Sequence, residues 1–265
     1  MWCEHGEPEK TPPMAEVIAV ICGALVGATL GLIGGGGSIV ATPMLLYLVG
    51  LEPHVALGTG ALAVSANAFF NFYGHWRAGT VRWAEALVFA ATGVCGALAG
   101  STAGKAVDGR RLILLFACMM IVIGMAMLRP RRGGGSAPAP LTLKTGCRVG
   151  GIGLCAGALS GFFGIGGGFL IVPGLILATS MPMINAIGTS LFAVGAFGLT
   201  TALNYAFSGL VNWAVAAEFI GGGVIGGILG MKAAIHLSGH KNTLHRLFAV
   251  LVFAVAAYII WRSVT

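Results

Sequence analysis

Charge is scarce in this chain of 265 residues: only 9% are Asp, Glu, Lys or Arg, against about 25% in a typical soluble domain. That shortage excludes an ordinary water-facing surface and points to lipid as the main solvent. Net positive charge is missing ahead of the first apolar run, where Glu4, Glu7 and Glu9 outnumber the single Lys10. A cleaved secretory leader is therefore not expected, and the first segment is read as a membrane helix. Enzyme signatures are missing too, since no HExxH, GxSxG or Cys/His cluster with metal spacing occurs. No catalysis, metal or cofactor is expected. The six cysteines show no paired spacing, and four lie in apolar segments where a small soft side chain simply packs.

What the chain has in abundance is apolar length, with 57% hydrophobic residues and 44 glycines. Runs near the length that crosses a bilayer, roughly 18 residues, recur at Met14 to Ile33, Val55 to Tyr73, Trp83 to Gly104, Leu112 to Leu128, Val149 to Phe163, Ile184 to Phe207, Val211 to Met231 and Leu247 to Trp261, two of them a little short. These give about eight crossings. Basic residues such as Arg77, Arg82, Arg110, Arg111, Lys232 and Arg246 lie between the runs, as loops facing headgroups require, so the net charge of +7 does not imply nucleic acid.

One register repeats without a gap. At an offset of 130 residues, Gly31, Gly34, Gly36, Gly37 and Pro43 fall on Gly161, Gly164, Gly166, Gly167 and Pro173, and Ala56, Gly58 and Thr59 fall on Ala186, Gly188 and Thr189. The register continues through Gly79, Val81 and Trp83 onto Gly209, Val211 and Trp213. The expected fold is an all-α polytopic membrane protein of two tandem units, about four transmembrane helices each. Residues 1–13 form an extramembrane segment, 14–128 the first unit, 129–145 a basic linker (RPRRGGGSAPA at its start) and 146–265 the second. The loop charges leave open whether the units run parallel or inverted.

Each unit carries a glycine break in a hydrophobic segment: GLIGGGGSIVATP (Gly31 to Pro43) and GFFGIGGGFLIVP (Gly161 to Pro173). Unwound backbone at membrane depth survives only where protein buries it or a wet cavity receives it. The N–H groups of the short helix after each break suit an anion. No Lys and Ser/Thr follow at nucleotide-binding spacing. The expected binding residues are therefore Gly34, Gly35, Gly36, Gly37 and Ser38 with Gly164, Gly166, Gly167 and Gly168. Thr59 and Thr189, Ser190, and Asn67 with Asn71 are uncharged donors on the following helices, although such side chains also serve as interhelical glue. Glu218, inside an apolar run, is the candidate for proton coupling; Glu85 sits where it reaches the interface, and His75 reads as an interfacial loop residue.

The stretches GLIGGGGSIVATPML with ALGTGALAV, and GFFGIGGGFLIVPGL with AIGTSLFAV, resemble the TauE/SafE family of sulfite exporters and related permeases, over about Ala15 to Ile260. The resemblance implies transport of small sulfur-containing anions across the cytoplasmic membrane. The expected function is thus a secondary transporter of a small anion such as sulfite or an organosulfonate, with a passive channel or a non-transporting scaffold as alternatives. Its expected partners are the anion and the bilayer, with no nucleic acid; a homodimer is a candidate assembly, and the location a multi-pass one in the inner membrane. GTG (Gly58 to Gly60) in the first unit stands where the second has GTS (Gly188 to Ser190), so the halves are not expected to contribute equally.

Overall fold

The structure, a computed structural model, describes residues 13–128, 142–164 and 168–237, with positions 250, 253–255, 257–258 and 261 near the chain's end. Gly166 and Gly167, and most of the expected last crossing, lie outside the described residues. Among the described residues up to 237 there are nine α-helices: α1 (Pro13–Ile33), α2 (Ser38–Tyr47), α3 (Pro53–Arg77), α4 (Trp83–Lys105), α5 (Gly109–Leu128), α6 (Leu143–Phe162), α7 (Gly168–Thr179), α8 (Met183–Ala206) and α9 (Trp213–Leu237). The run Gly34–Gly37 forms a 3-10 turn between α1 and α2. Among the described residues, five helices, α1, α3, α4, α8 and α9, are long and apolar enough to span a bilayer. The protein is a multi-pass, all-α membrane protein; α6 begins at Leu143, three residues before the expected unit boundary.

Glycine decides which helices touch. Gly23, Gly27 and Gly31 of α1 lie against the backbone of Phe219, Gly223 and Gly227 of α9. Residue numbers rise together along both helices, so the pair is parallel. At the offset of 130, Gly153, Gly157 and Gly161 of α6 lie against Phe89, Gly93 and Ala97 of α4 in the same way. Without side chains between them, backbones approach closely and gain dispersion contact that lipid cannot match. The first helix of each half is thereby held by the fourth helix of the other.

At the centre, α3 crosses α8 in the opposite sense. Ser65 Oγ donates to the Gly195 carbonyl at 2.7 Å, Gly198 sits against Ala61, and Phe69 meets Phe192. Rising numbers on α3 meet falling numbers on α8. Helices α3 and α8 occupy the same register in the two halves, so the halves are inverted relative to each other, the arrangement the loop charges left open. The physical reason is the short helix: α2 is the return stroke of a hairpin begun by α1, so the first half runs through five helices, α1 to α5, rather than four. Gly60 near Thr42 and Leu45 fixes α2 beside the lower part of α3, and Gly109 against Pro53 starts α5 beside the start of α3. The side of the membrane where α1, α3, α5 and α9 begin is called here the near side, and the other the far side.

The turns follow the same register. Positive φ occurs at Gly34 (69°) and Gly164 (65°), at Gly79 (70°) and Gly209 (70°), and at Gly50 (82°) and Ser180 (56°). At Ser180 the left-handed backbone carries a side chain, a conformation that glycine adopts without cost.

Candidate functional site

The break Gly34–Gly37 packs on the first turns of α8: a Cβ on Gly34 would lie 2.9 Å from Ser190 Oγ and 3.0 Å from the Cα of Ile187. The Gly35 N–H reaches Ser190 Oγ at a long 3.4 Å, while Ser190 donates to the Ile187 carbonyl at 2.8 Å and Ser38 Oγ to the Gly35 carbonyl at 2.8 Å. Gly34, Gly35, Ser38 and Ser190 therefore form one buried cluster, with Gly36 and Gly37 completing its turn.

The second break packs elsewhere. A Cβ on Gly164 would meet Leu57, in the first turns of α3. Leu57 precedes Ser65 by eight residues and Ile187 precedes Gly195 by eight, and Ser65 bonds Gly195. At 1.5 Å per residue on two antiparallel helices, the breaks stand about 24 Å apart along the membrane normal. They do not meet in one central site as their repetition suggested; one lies toward the far side and the other, with Gly168 opening α7, toward the near side. Helix direction is the cause: α3 and α8 run antiparallel, so positions at the same distance from their starts fall toward opposite ends.

Thr59 and Thr189 hold the halves together. The Asn212 N–H donates to Thr59 Oγ1 at 2.9 Å, and the Arg82 N–H to Thr189 Oγ1 at 3.0 Å. Arg82 and Asn212 immediately precede α4 and α9, so each threonine satisfies an N–H at the start of a helix from the other half. Both copies carry threonine for that reason.

Asn67 and Asn71 lie between the two breaks. Both are buried, facing Gly223 and Gly227 of α9, with Asn71 also beside Gly31 of α1. Asn71 Nδ2 donates to the Asn67 carbonyl at 2.8 Å, but neither Nδ2 nor Oδ1 of Asn67 has a partner. An unpaired buried amide costs about 1–3 kcal/mol, and it is the kind of group a polar ligand satisfies. At the offset of 130 the other half has Phe197 and Thr201, so this amide face belongs to one half only.

His75 is misread from sequence as an interfacial loop residue. It lies in the last turn of α3 with no exposed surface, because it continues the stripe Asn67, Asn71, His75 at four-residue spacing along one helical face. That spacing was the signal available. Its Nε2 lies 3.2 Å from the Gly31 carbonyl and its Nδ1 3.0 Å from Thr80 Oγ1. Glu85 is buried and pairs with Arg82 at 3.4 Å, which anchors it in the first turn of α4. Glu218 is partly exposed in α9, with Oε2 unpartnered. It precedes Gly227, the neighbour of Asn71, by nine residues, about 14 Å toward the near side, away from the asparagine stripe. Among the described residues, no group of three or more His, Cys, Asp or Glu side chains is placed to hold a metal ion.

A family model described as Sulfite exporter TauE/SafE matches residues 19–259. The chain belongs to this family. Two strains of Xylella fastidiosa, Temecula1 and 9a5c, each hold a "Probable membrane transporter protein" 53% identical over 249 residues, covering 93% of this chain and 95% of theirs. A more distant relative, "Probable membrane transporter protein YunE" of Bacillus subtilis, is 28% identical over 273 residues, 95% of this chain and 99% of its own. No solved structure matches the chain.

Proposed function

We propose that this membrane transporter is a secondary carrier of small oxyanions, sulfite or an organosulfonate, across the inner membrane. The observation that carries this reading is the buried, unpartnered amide of Asn67, midway between two glycine breaks that approach opposite faces. A neutral amide and free backbone N–H groups bind an anion without holding it as tightly as a fixed cation would. Breaks at opposite ends of one path favour alternating access over an open channel. The test is counterflow in proteoliposomes with labelled sulfite, methanesulfonate, thiosulfate and acetate. Sulfite or the sulfonate should accumulate above empty liposomes, and no accumulation of either would refute the cargo.

The same reading sets the orientation. Arg77, Arg82, Lys144, Arg148 and Lys232 belong to the far side, where only Glu85 opposes them, and RPRR follows the far end of α5; Lys105, Arg110 and Arg111 belong to the near side with Glu16, Glu52, Asp108 and Glu218. Positive charge stays inside, so the far side faces the cytoplasm. A reporter active only outside the cytoplasm should be silent when fused after Arg131 and active after Thr265. The reverse pattern would overturn the orientation.

A further inference from the structure

Buried polar atoms without a partner are rare in folded proteins, and here they gather. Among the described residues seven carry such an atom, and three of these, Ser160, Thr201 and Tyr205, stand at one junction of α4, α6 and α8. Contacts through α4 place them. A Cβ on Gly161, next to Ser160 in the last turn of α6, would lie 2.8 Å from the Ser101 nitrogen, and Ser101 Oγ accepts from Asn204 Nδ2 of α8 at 2.6 Å. Thr201 precedes Asn204 by three residues and Tyr205 follows it by one, so this pair, four apart, shares a face of α8 at the same level. Ser160 is 1% exposed, and Thr201 and Tyr205 are not exposed at all.

A serine or threonine inside a helix has a ready acceptor three or four residues back. Thr200 uses it, donating to the Ala196 carbonyl at 2.8 Å, as do Thr92 and Thr102 on α4. Ser160 and Thr201 do not, so their hydroxyls are turned from their own backbone. At the offset of 130 the first half has Leu30, Asn71 and His75 at these positions; there Asn71 donates to the Asn67 carbonyl and His75 Nε2 meets the Gly31 carbonyl. One half satisfies its junction from within, and the other leaves three O–H groups unpaired.

Charge selects the ligand. Lys105 Nζ is held at this junction by the Asn204 carbonyl at 3.1 Å, by Asn204 Oδ1 at 2.9 Å and by Ser208 Oγ at 2.9 Å, all neutral. The three helices carry one carboxylate between them, Glu85, and it pairs with Arg82 at the opposite end of α4. An ammonium that no carboxylate neutralises repels a cation and favours an anion. Hydrogen bonds from O–H groups to an oxyanion are also roughly twice as strong as neutral ones.

We propose that Ser160, Thr201 and Tyr205 form a second anion position, beside the second glycine break and separate from Asn67. Three O–H donors match the three oxygens of a sulfite or sulfonate group. Gly164 follows Ser160 by four residues. Thr201 lies six residues past Gly195, about 9 Å toward the near side of the level where Ser65 bonds it, and Asn67 about 3 Å toward the far side. The chain thus offers an anion two stations, about 12 Å apart along the membrane normal. This rests on reading the chain as an anion carrier.

Equilibrium binding of labelled sulfite to the full chain in lipid nanodiscs, with melting measured on the same samples, tests the second station. The wild type should bind two anions per chain. Thr201→Val combined with Tyr205→Phe removes two hydroxyls at nearly constant shape. That variant should bind one anion, with the other weakened about tenfold or more, and should melt no lower than the wild type because neither lost atom had a partner. Asn67→Leu should also bind one anion, and the triple variant none. Fewer than two anions on the wild type, or two on the Thr201→Val/Tyr205→Phe variant, would overturn the proposal. Two bound anions without counterflow would refute the carrier reading and leave this site standing, whereas counterflow with one bound anion would do the reverse.

Discussion

Leucine at Gly222 is expected to abolish assembly of the folded protein, whereas leucine at Gly221, one residue away on α9, is expected to be tolerated. A Cβ at Gly222 would overlap the backbone of Val20 and come within 2.9 Å of the Ala24 nitrogen, in the contact that joins α1 to α9. The obstacle is backbone, so no rotamer change relieves it. Overpacking a core costs typically 1–3 kcal/mol where side chains can give way, and separating two helices that touch by their backbones costs more. Nothing lies within 4 Å of a Cβ at Gly221, and leucine there gains helix propensity of about 1 kcal/mol over glycine. Size-exclusion elution and thermal melting in detergent check both. Equal behaviour of the two variants would mean that α1 and α9 do not pack through this face.

Asn67→Leu is expected to cut anion flux at least tenfold while leaving the protein as stable as the parent or more so. Leucine has nearly the shape of asparagine but no polar atoms, and it removes two groups that now have no partner. Relief of an unsatisfied amide is worth about 1–3 kcal/mol, less whatever rearrangement the branched tip requires beside Gly223. A residue kept at a cost in stability is expected at a working site, where activity and stability oppose each other. Melting and counterflow measured on one preparation decide the matter. Reduced stability with full flux would make Asn67 ordinary packing.

These two outcomes mark the limit of what the sequence discloses. Lipid as solvent, the 130-residue register and the two breaks all follow from composition and glycine placement. Gly222, with Gly226 and Gly230 at four-residue spacing, marks a face suited to helix contact, whereas Gly221 stands outside that spacing; the partner of that face comes only from the parallel contact between α1 and α9. The inversion was hidden for a similar reason: ten and twelve residues of α2 and α7 are too short for a hydropathy reading to count as passes, yet each reverses the chain. Once the halves invert, the two breaks part company by about 24 Å, which a linear repeat cannot reveal. The repeated threonines looked like ligands because both halves keep them, but a cross-half backbone bond keeps them equally well. His75 escaped notice because the neighbouring Trp76 and Arg77 suggested an interface, while its spacing from Asn71 put it on the buried face.

The measurement that bears most directly on a single path with a gate at each end is labelled sulfite flux through proteoliposomes carrying Gly34→Leu or Gly164→Leu, one break altered at a time. Both positions have positive φ and a close neighbour, Ser190 and Leu57 respectively, so a side chain there should jam its own break. Each single variant that still elutes like the wild type should fall to the level of empty liposomes, because a path in series fails at either gate. Wild-type flux through either folded variant would contradict the account.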